Sequence, residues 1–339
     1  MKSLLSIAVL TAMTSGVQAA GTAANTTINN TASISYSVGG TPQAAIESSP
    51  GGNSVPGAGS ATTFVVDKKV DLLVTADAGP FNVSPSATSQ SITYVLTNEG
   101  NSTEAFTLTT TGTVAGDDFD TTGCTVTSPA SPVTLAADAT TAVTVQCDIP
   151  ASNGGTVSDG KASLVDLLAS ANVAAETTGT DTAGTMDIVY ADDAGTATDS
   201  PNGTVSGDQT RNAKHSATNT YTILAAKLTI SKASAVDSDP FNLTTNPKRI
   251  PGAIIKYTIT IDNTTGTADA TGLSVSDYIP ANMTYSTTPA ACVADSGGAC
   301  VLNAALVIGA SPAAPGISAT GMTVAAGATG TVTFYAKIN

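Results

Sequence analysis

The chain has 339 residues, with 26 acidic and 12 basic side chains and a net charge of −14 at neutral pH. Only 11% of residues are charged, against about a quarter in an average globular protein; aromatics make up 4% and Trp is absent. Such a chain lacks the clustered Lys and Arg that a nucleic-acid surface needs, so nucleic-acid binding is excluded. Cores must be built from Val, Ile, Leu and Ala with single Tyr and Phe anchors.

The chain opens with Lys2, an apolar run from Leu4 to Met13, and a small-residue exit at Val17-Gln18-Ala19-Ala20. This is the layout of a secretory signal peptide over 1–20, with cleavage expected near Ala19-Ala20. The segment holds no Cys, so a lipoprotein anchor is not expected. No later stretch approaches the roughly 20 apolar residues needed to span a bilayer, so no membrane insertion of the mature chain is expected. The remaining residues suit two domains of a secreted or cell-surface protein.

Period-two alternation then dominates, and the expected class is all-β. Residues 21–66 are rich in small side chains and carry one clean alternation, Ser33-Ile34-Ser35-Tyr36-Ser37-Val38, stopped by Gly39-Gly40. This segment is expected to pack on a first β-sandwich over 67–226. Within that domain, strands are expected at Phe64 to Val74, Ser91 to Leu96, Phe106 to Leu108, Val133 to Leu135 and Ala142 to Val145. Lys161 to Val173 reads as a strand or as an amphipathic helix with Leu164, Leu167 and Leu168 on one face. The strand is favoured because its neighbours are all β. Strands follow at Asp187 to Tyr190 and Thr220 to Leu224, separated by a long polar loop over 191–214.

Residues 227–339 hold about seven short strands with turn signals between them, the pattern of an immunoglobulin-like sandwich. They run at Lys227 to Lys232, Ile254 to Ile261, Leu273 to Asp277, Met283 to Tyr285, Ala305 to Ile308, Met322 to Val324 and Thr331 to Ile338. The two halves share an ordered internal repeat. Ser60-Ala61-Thr62 and Ser216-Ala217-Thr218 each precede an aromatic residue and an apolar strand. A Tyr-containing strand with Tyr94 or Tyr257 then ends in an Asn turn at Asn98 or Asn263.

Four residue runs carry a resemblance. They are Lys227-Leu228-Thr229-Ile230-Ser231-Lys232, Ile250-Pro251-Gly252, Tyr257-Thr258-Ile259-Thr260-Ile261-Asp262-Asn263 and Val275-Ser276-Asp277-Tyr278-Ile279-Pro280. Residues 227–339 resemble the bacterial cell-surface conserved-repeat domain, the domain-of-unknown-function family eleven. The first domain lacks the Pro-Gly before Tyr94 and the Asp-x-x-Pro after it. The resemblance implies an immunoglobulin-like sandwich with a structural surface role and no catalytic residue. The expected architecture is therefore two tandem immunoglobulin-like sandwiches behind a cleaved signal peptide.

Cys124, Cys147, Cys292 and Cys300 are an even set in an exported chain, and disulfides are expected. Three pairings exist. The local ones, Cys124–Cys147 and Cys292–Cys300, each fall inside one expected domain. Loop-closure entropy would make them worth about 3.5 and 2.5 kcal/mol respectively.

The search for chemistry returns little. The single histidine, His215, reads as a solvated loop residue without a nucleophile elbow. The acids Asp117, Asp118, Asp120, Asp192, Asp193, Asp237 and Asp239 would have to supply any glycosidase pair, without a Trp for sugar stacking. Asp117, Asp118 and Asp120, or Asp237 and Asp239, could give oxygen ligands to Ca²⁺, although neither group is an EF-hand. A Lys227 or Lys232 bond to Asn339 beside Asp277 is a further arrangement considered. No other cofactor is expected.

The expected function is a non-enzymatic structural or adhesive surface scaffold. Alternatives are a Ca²⁺-dependent carbohydrate- or surface-binding adhesin, and a filament subunit assembling by strand exchange. The expected partners are cell-surface proteins or further copies of the chain.

Overall fold

A computed structural model of the chain describes residues 21–153, 155–195, 209–301, 306–308 and 316–339. The expected signal peptide lies outside the described residues, as does 196–208 of the long polar loop. The described chain is all-β, and no helix in it is long and apolar enough to cross a membrane. It divides into two compact units. One holds the described residues up to Pro80 together with Ser89–Asp148 and Ser163–Thr220; the other holds Phe81–Thr88, Ile149–Ala162 and Tyr221–Asn339.

The first unit begins with a two-stranded ribbon. Thr27–Asn30 pairs with Thr62–Val65, Ser33–Ile34 with Ile46–Glu47, and Ser37–Val38 with Thr41–Pro42, nested about Gly39-Gly40. Ser33 to Val38 is thus two short pieces and not one continuous strand. Asn101 ties the ribbon's base to the rest of the unit, its amide donating to the Thr22 and Asp67 carbonyls.

Behind the ribbon, one sheet runs in the order Thr122–Ser128, Thr140–Asp148, Gln90–Asn98, Leu72–Ala76. Ile92, Tyr94, Leu96, Val143 and Val145 alternate with half-buried Thr and Ser, so one face carries the apolar set. A second sheet runs Val133–Leu135, Glu104–Thr111, Ala162–Ala171, Lys214–Ile223. At the end of its last strand, Tyr221–Ile223 pairs parallel with Phe81–Val83. Residues 162–171 are a strand. Val165, Leu167 and Ala169 alternate on one face, while Asp166 and Leu168 are buried on the other. Burial on both faces is what gave the sequence its helical ambiguity. The Tyr94 hydroxyl joins the two sheets by donating to the Val165 carbonyl at 2.6 Å.

The second unit places Thr229–Ser238, Ile254–Asp262, Thr329–Ile338 and Met283–Ser286 in that order, with Cys292–Ala294 also paired to 329–338. A three-stranded sheet runs Ala270–Tyr278, Gly316–Val324, Leu306–Ile308. Ile259, Ile261, Val275, Met322, Val332 and Phe334 belong to a shared core. Tyr257 stacks on Phe334 with ring centres 5.0 Å apart. The Lys232 ammonium sits 4.8 Å from the centre of the Tyr257 ring and pairs with Asp277.

Cys124–Cys147 and Cys292–Cys300 are disulfide-bonded. The first joins the neighbouring strands 122–128 and 140–148; the second closes the short loop after 292–294.

Each unit is locked by one fully buried asparagine. The Asn98 side-chain amide donates to the Ser102, Leu135 and Ala136 carbonyls at 2.9–3.1 Å. The Asn263 amide donates to Ala268, Val324 and Ala325 at 2.9–3.2 Å. The main chain repeats the pattern. Asn98 N–H donates to Ala139 and its carbonyl accepts from Asp138; Asn263 N–H donates to Ala328 and its carbonyl accepts from Gly327. The facing loops, Leu135-Ala136-Ala137-Asp138-Ala139-Thr140 and Val324-Ala325-Ala326-Gly327-Ala328-Thr329, match residue for residue in role. Asp138 and Gly327 both have φ in the left-handed region, +59° and +73°. The repeat read from Asn98 and Asn263 therefore has a structural counterpart. Tyr94 and Tyr257 are not equivalent, because counting back from the asparagines sets Tyr94 level with Ile259.

Replacing either asparagine by Ala strands three carbonyls, one buried and two partly buried. Asn98→Ala and Asn263→Ala are each expected to lower unfolding free energy by about 3 kcal/mol in urea denaturation. Asn→Asp at either site, which sets a carboxylate against those carbonyls, is expected to cost more. A loss under about 0.5 kcal/mol for Ala would show that the lock is dispensable.

Candidate functional site

Several polar side chains buried in the first unit hold backbone groups. His215 is 6% exposed and lies in strand 214–223, not in a solvated loop as its polar neighbours suggest. Its Nδ1 accepts the Val74 N–H at 3.1 Å. From the same strand, the Asn219 amide donates to the Asp77 and Thr93 carbonyls. His215 thus caps the Val74 N–H on the 72–76 edge, and Asn219 ties the Asp77 carbonyl just past that strand to Thr93 of its neighbour. Asp192, buried near one end of the long polar loop, accepts the Asn212 and Ala213 N–H groups at the other end. Lys68 and Glu104 form an ion pair at 2.6 Å, with Glu104 only 4% exposed.

The candidate calcium ligands have varied surroundings. Asp117 and Asp118 are half-buried and Asp120 is exposed. Asp117 accepts the Leu164 N–H at 3.0 Å. Burial raises its carboxyl above the usual range, and the negative charge of Asp120 adds to the rise. Asp237 is half-buried on the strand, where its charge contributes, after burial, to raising the Tyr335 hydroxyl. Asp239 has no lone pairs to spare. Its oxygens accept N–H groups from Phe241, Asn242 main chain, Asn242 side chain and Lys248 at 2.6–3.0 Å. Those bonds, the Asn242 main-chain bond foremost, hold its carboxyl far below the ordinary range. Asp239 is the staple of the 239–248 loop.

Two acidic features escaped the sequence reading. Asp67, Asp181 and Asp187 bring one carboxylate oxygen each to within 4.8 Å of one another, and Asp67 also accepts the Asp187 N–H at 2.8 Å. These residues lie far apart in sequence and meet only because Ile188–Tyr190 pairs with Lys68–Val70. Asp166 is fully buried, with one oxygen bonded by the Thr218 hydroxyl and the other without a hydrogen-bond partner. Burial above all pushes its carboxyl up to about 6. The Thr218 bond opposes the rise and the Asp117 charge adds to it. Nothing in the local sequence marks Asp166, which sits among Val165, Leu167 and Leu168 as a break in an apolar run.

Lys232 meets Asp277, whereas the Asn339 side chain accepts the Thr284 hydroxyl at 2.7 Å. The Lys–Asn arrangement considered from the sequence is therefore not the one the structure presents.

Among the described residues, the five most exposed large apolar side chains fall in three places. On the ribbon, Ile34 is 62%, Tyr36 44% and Val38 61% exposed. On the edge of the second unit, Leu228 is 43% and Ile230 68% exposed. At the tip of the Asp239-stapled loop, Phe241 reaches 82% and Leu243 67%. Beside the edge lies a depression of about 220 Å³ lined by Leu228, Thr229, Ile230, Ile261, Leu273 and Val275. A larger, open hollow of about 590 Å³ lies at the ribbon base between Phe64, Val66 and Asn101. This arrangement is equipped to bury surface, and its recognisable chemistry is that of β-edges and apolar teeth.

No protein-family model matches the chain, and no curated protein is significantly similar to it. Among solved structures, the chain is similar to the secreted serine protease VesC from Vibrio cholerae, with 10% sequence identity and a TM-score of 0.24. The match covers 80% of this chain and 47% of that one, so the chain spans about half the length of VesC. A likeness at that level carries no argument about fold or activity.

The Asp166 carboxyl makes a measurable prediction. Its folded value near 6 lies above its unfolded value near 3.8, so its contribution is fully present below about pH 4 and is lost as pH rises through 6. The lost stability amounts to about 3 kcal/mol. Asp166→Asn keeps the Thr218 contact and removes the titration. Its melting temperature should exceed wild type at pH 7 and converge with it at pH 4. Parallel melting profiles of the two proteins from pH 4 to 7 would contradict the assignment.

Proposed function

We propose that the protein is an exported, non-enzymatic scaffold of a bacterial cell surface, built of two tandem immunoglobulin-like sandwiches and acting through structural or adhesive contacts. The observation that carries this reading is the division of labour among its side chains. His215, Asn219, Asp192 and Asp239 are spent on backbone groups, while the five most exposed large apolar side chains among the described residues, Phe241, Ile230, Leu243, Ile34 and Val38, stand on a ribbon, a sheet edge and a loop tip. The resemblance of 227–339 to the conserved-repeat domain agrees with it. The two disulfides indicate an oxidising compartment, as export would provide.

A Ca²⁺-dependent adhesin draws less support. Asp239 offers no free oxygen, and the Asp117 carboxylate is already bonded to the Leu164 N–H.

Fractionation of the native cell tests the reading. The protein should be recovered from the outer surface or the medium, with a mature N-terminus beginning near Ala20 or Gly21 by mass spectrometry and with all four cysteines oxidised. Recovery in the cytoplasm with Met1 retained and free thiols would overturn it.

A further inference from the structure

The ribbon and the second unit each leave a surface unfinished, and the two surfaces are alike in length, polarity and pattern. The ribbon is a two-stranded element, which is marginal in water without a partner. Its outgoing arm, strand at 33–34 and 37–38, presents Ile34, Tyr36 and Val38 at alternate sequence positions, all exposed. Alternation of this kind belongs to a strand that packs one face against something.

In the second unit, strand 229–238 is the edge of its sheet. All seven residues from Thr229 to Ala235 are exposed, with Lys232 reaching over the Tyr257 and Phe334 rings. A register shift between Val236 and Ser238 ends the regular part of the edge. The facing sheet also ends nearby, at 270–278, and the depression lined by Leu228, Ile230, Leu273 and Val275 touches both edges. Lys232, which as an inward charge would ordinarily discourage edge pairing, is neutralised by Asp277.

Length and charge agree. The six residues 33–38, two short strand pieces joined through Ser35-Tyr36, would span about 20 Å if fully extended, and the seven open positions 229–235 span about 23 Å. Between Gly21 and Ser60 the only charged residue is Glu47, and between Leu228 and Ala235 the only one is Lys232. In a chain of net charge −14, these are stretches where one copy can approach another without like-charge repulsion.

We infer that the occupant of the open edge is the ribbon of a second copy. Segment 33–38 straightens into one strand along 229–235, seating Ile34, Tyr36 and Val38 against the depression beside Ile230. The contact is heterologous: each copy offers a ribbon and an edge, so the chain assembles head to tail. This rests on the scaffold reading for its biological use, but the two fail separately. A correctly exported monomer would sink the docking alone, and a cytoplasmic protein that assembles in vitro would sink the scaffold reading alone.

The test uses the mature full-length chain with two variants, Ile34→Asp/Val38→Asp on the ribbon and Ile230→Asp on the edge, in sedimentation velocity. Wild type should show species of two or more chains that grow with concentration, and each variant should run as a monomer. An equimolar mixture of the variants should give a complex of two chains and nothing larger, because one supplies the only intact edge and the other the only intact ribbon. Thermal melts like those of wild type establish that the variants fold. If either does not, Ser35→Cys/Ser231→Cys chains bearing two different tags replace them. A disulfide between differently tagged copies supports the docking, and a link within one chain overturns it. A wild type that stays monomeric at every concentration, or assemblies that survive both variants, also overturns it.

Discussion

The buried side-chain amides of Asn98 and Asn263 are the constraint on which the rest of the structure depends. Each unit pairs a central strand with a later one, 90–98 with 140–148 and 254–262 with 329–338. Because successive side chains point to opposite faces, a slip of one residue would turn every core side chain to solvent. The asparagine fixes the pairing at its open end, with two amide bonds to the facing loop, one to its own following turn, and two main-chain bonds beside them. An apolar residue would leave the loop carbonyls unpaired, and a carboxylate would repel them. The left-handed residue that follows, Asp138 or Gly327, lets the loop fold back onto the lock and enter the next strand in register.

The same economy runs through the remaining polar residues. With few charges to place, the chain uses single side chains where other folds would use another strand. His215 caps a main-chain N–H of 72–76, Asn219 holds the Asp77 and Thr93 carbonyls together, Asp192 ties the ends of a long loop, and Asp239 gathers four donors to shape another. Asp166 departs from this pattern. It is buried with one oxygen unsatisfied and with a second acid close enough to raise it further. A neutral isostere would do the same structural work at neutral pH, so the acid is a cost that the surrounding β-packing must offset.

What could be read from the sequence follows the physics of each segment. Strands with one buried face, such as 90–98 and 254–262, announce themselves because alternation survives wherever the other face is wet. Strand 162–171 is covered on both faces, so its apolar residues crowd together and mimic a helical stripe. Phe81–Val83 and Cys292–Ala294 are too short to carry a period, and only a distant partner makes them strands. His215 looks solvated beside Lys214 and Ser216, because the burial of a short polar run is decided by what packs on it. The Asp67, Asp181 and Asp187 cluster was illegible because parallel pairing of 188–190 with 68–70 creates it. Asn98 and Asn263 were visible as turn residues. That they face inward could not be told from a type of residue equally common in exposed turns.

The treatment of sheet edges gives the last step. In the first unit, 72–76 is capped by His215, and the opposite edge, 122–128, carries two register shifts and a disulfide to its neighbour. Bulges and side-chain caps of this kind keep an edge from pairing with foreign strands. Strand 229–238 has its bulge only at the far end, and its one inward charge is already paired, so seven residues stay open. A thinly charged, acidic chain that blunts two edges and spares a third has the means to protect all three. The spared edge is also the one next to an apolar depression, and the same chain carries a nearly uncharged ribbon with exposed alternating teeth. Edge protection that stops where a matching strand is available is better explained as a surface kept open for pairing than as an omission.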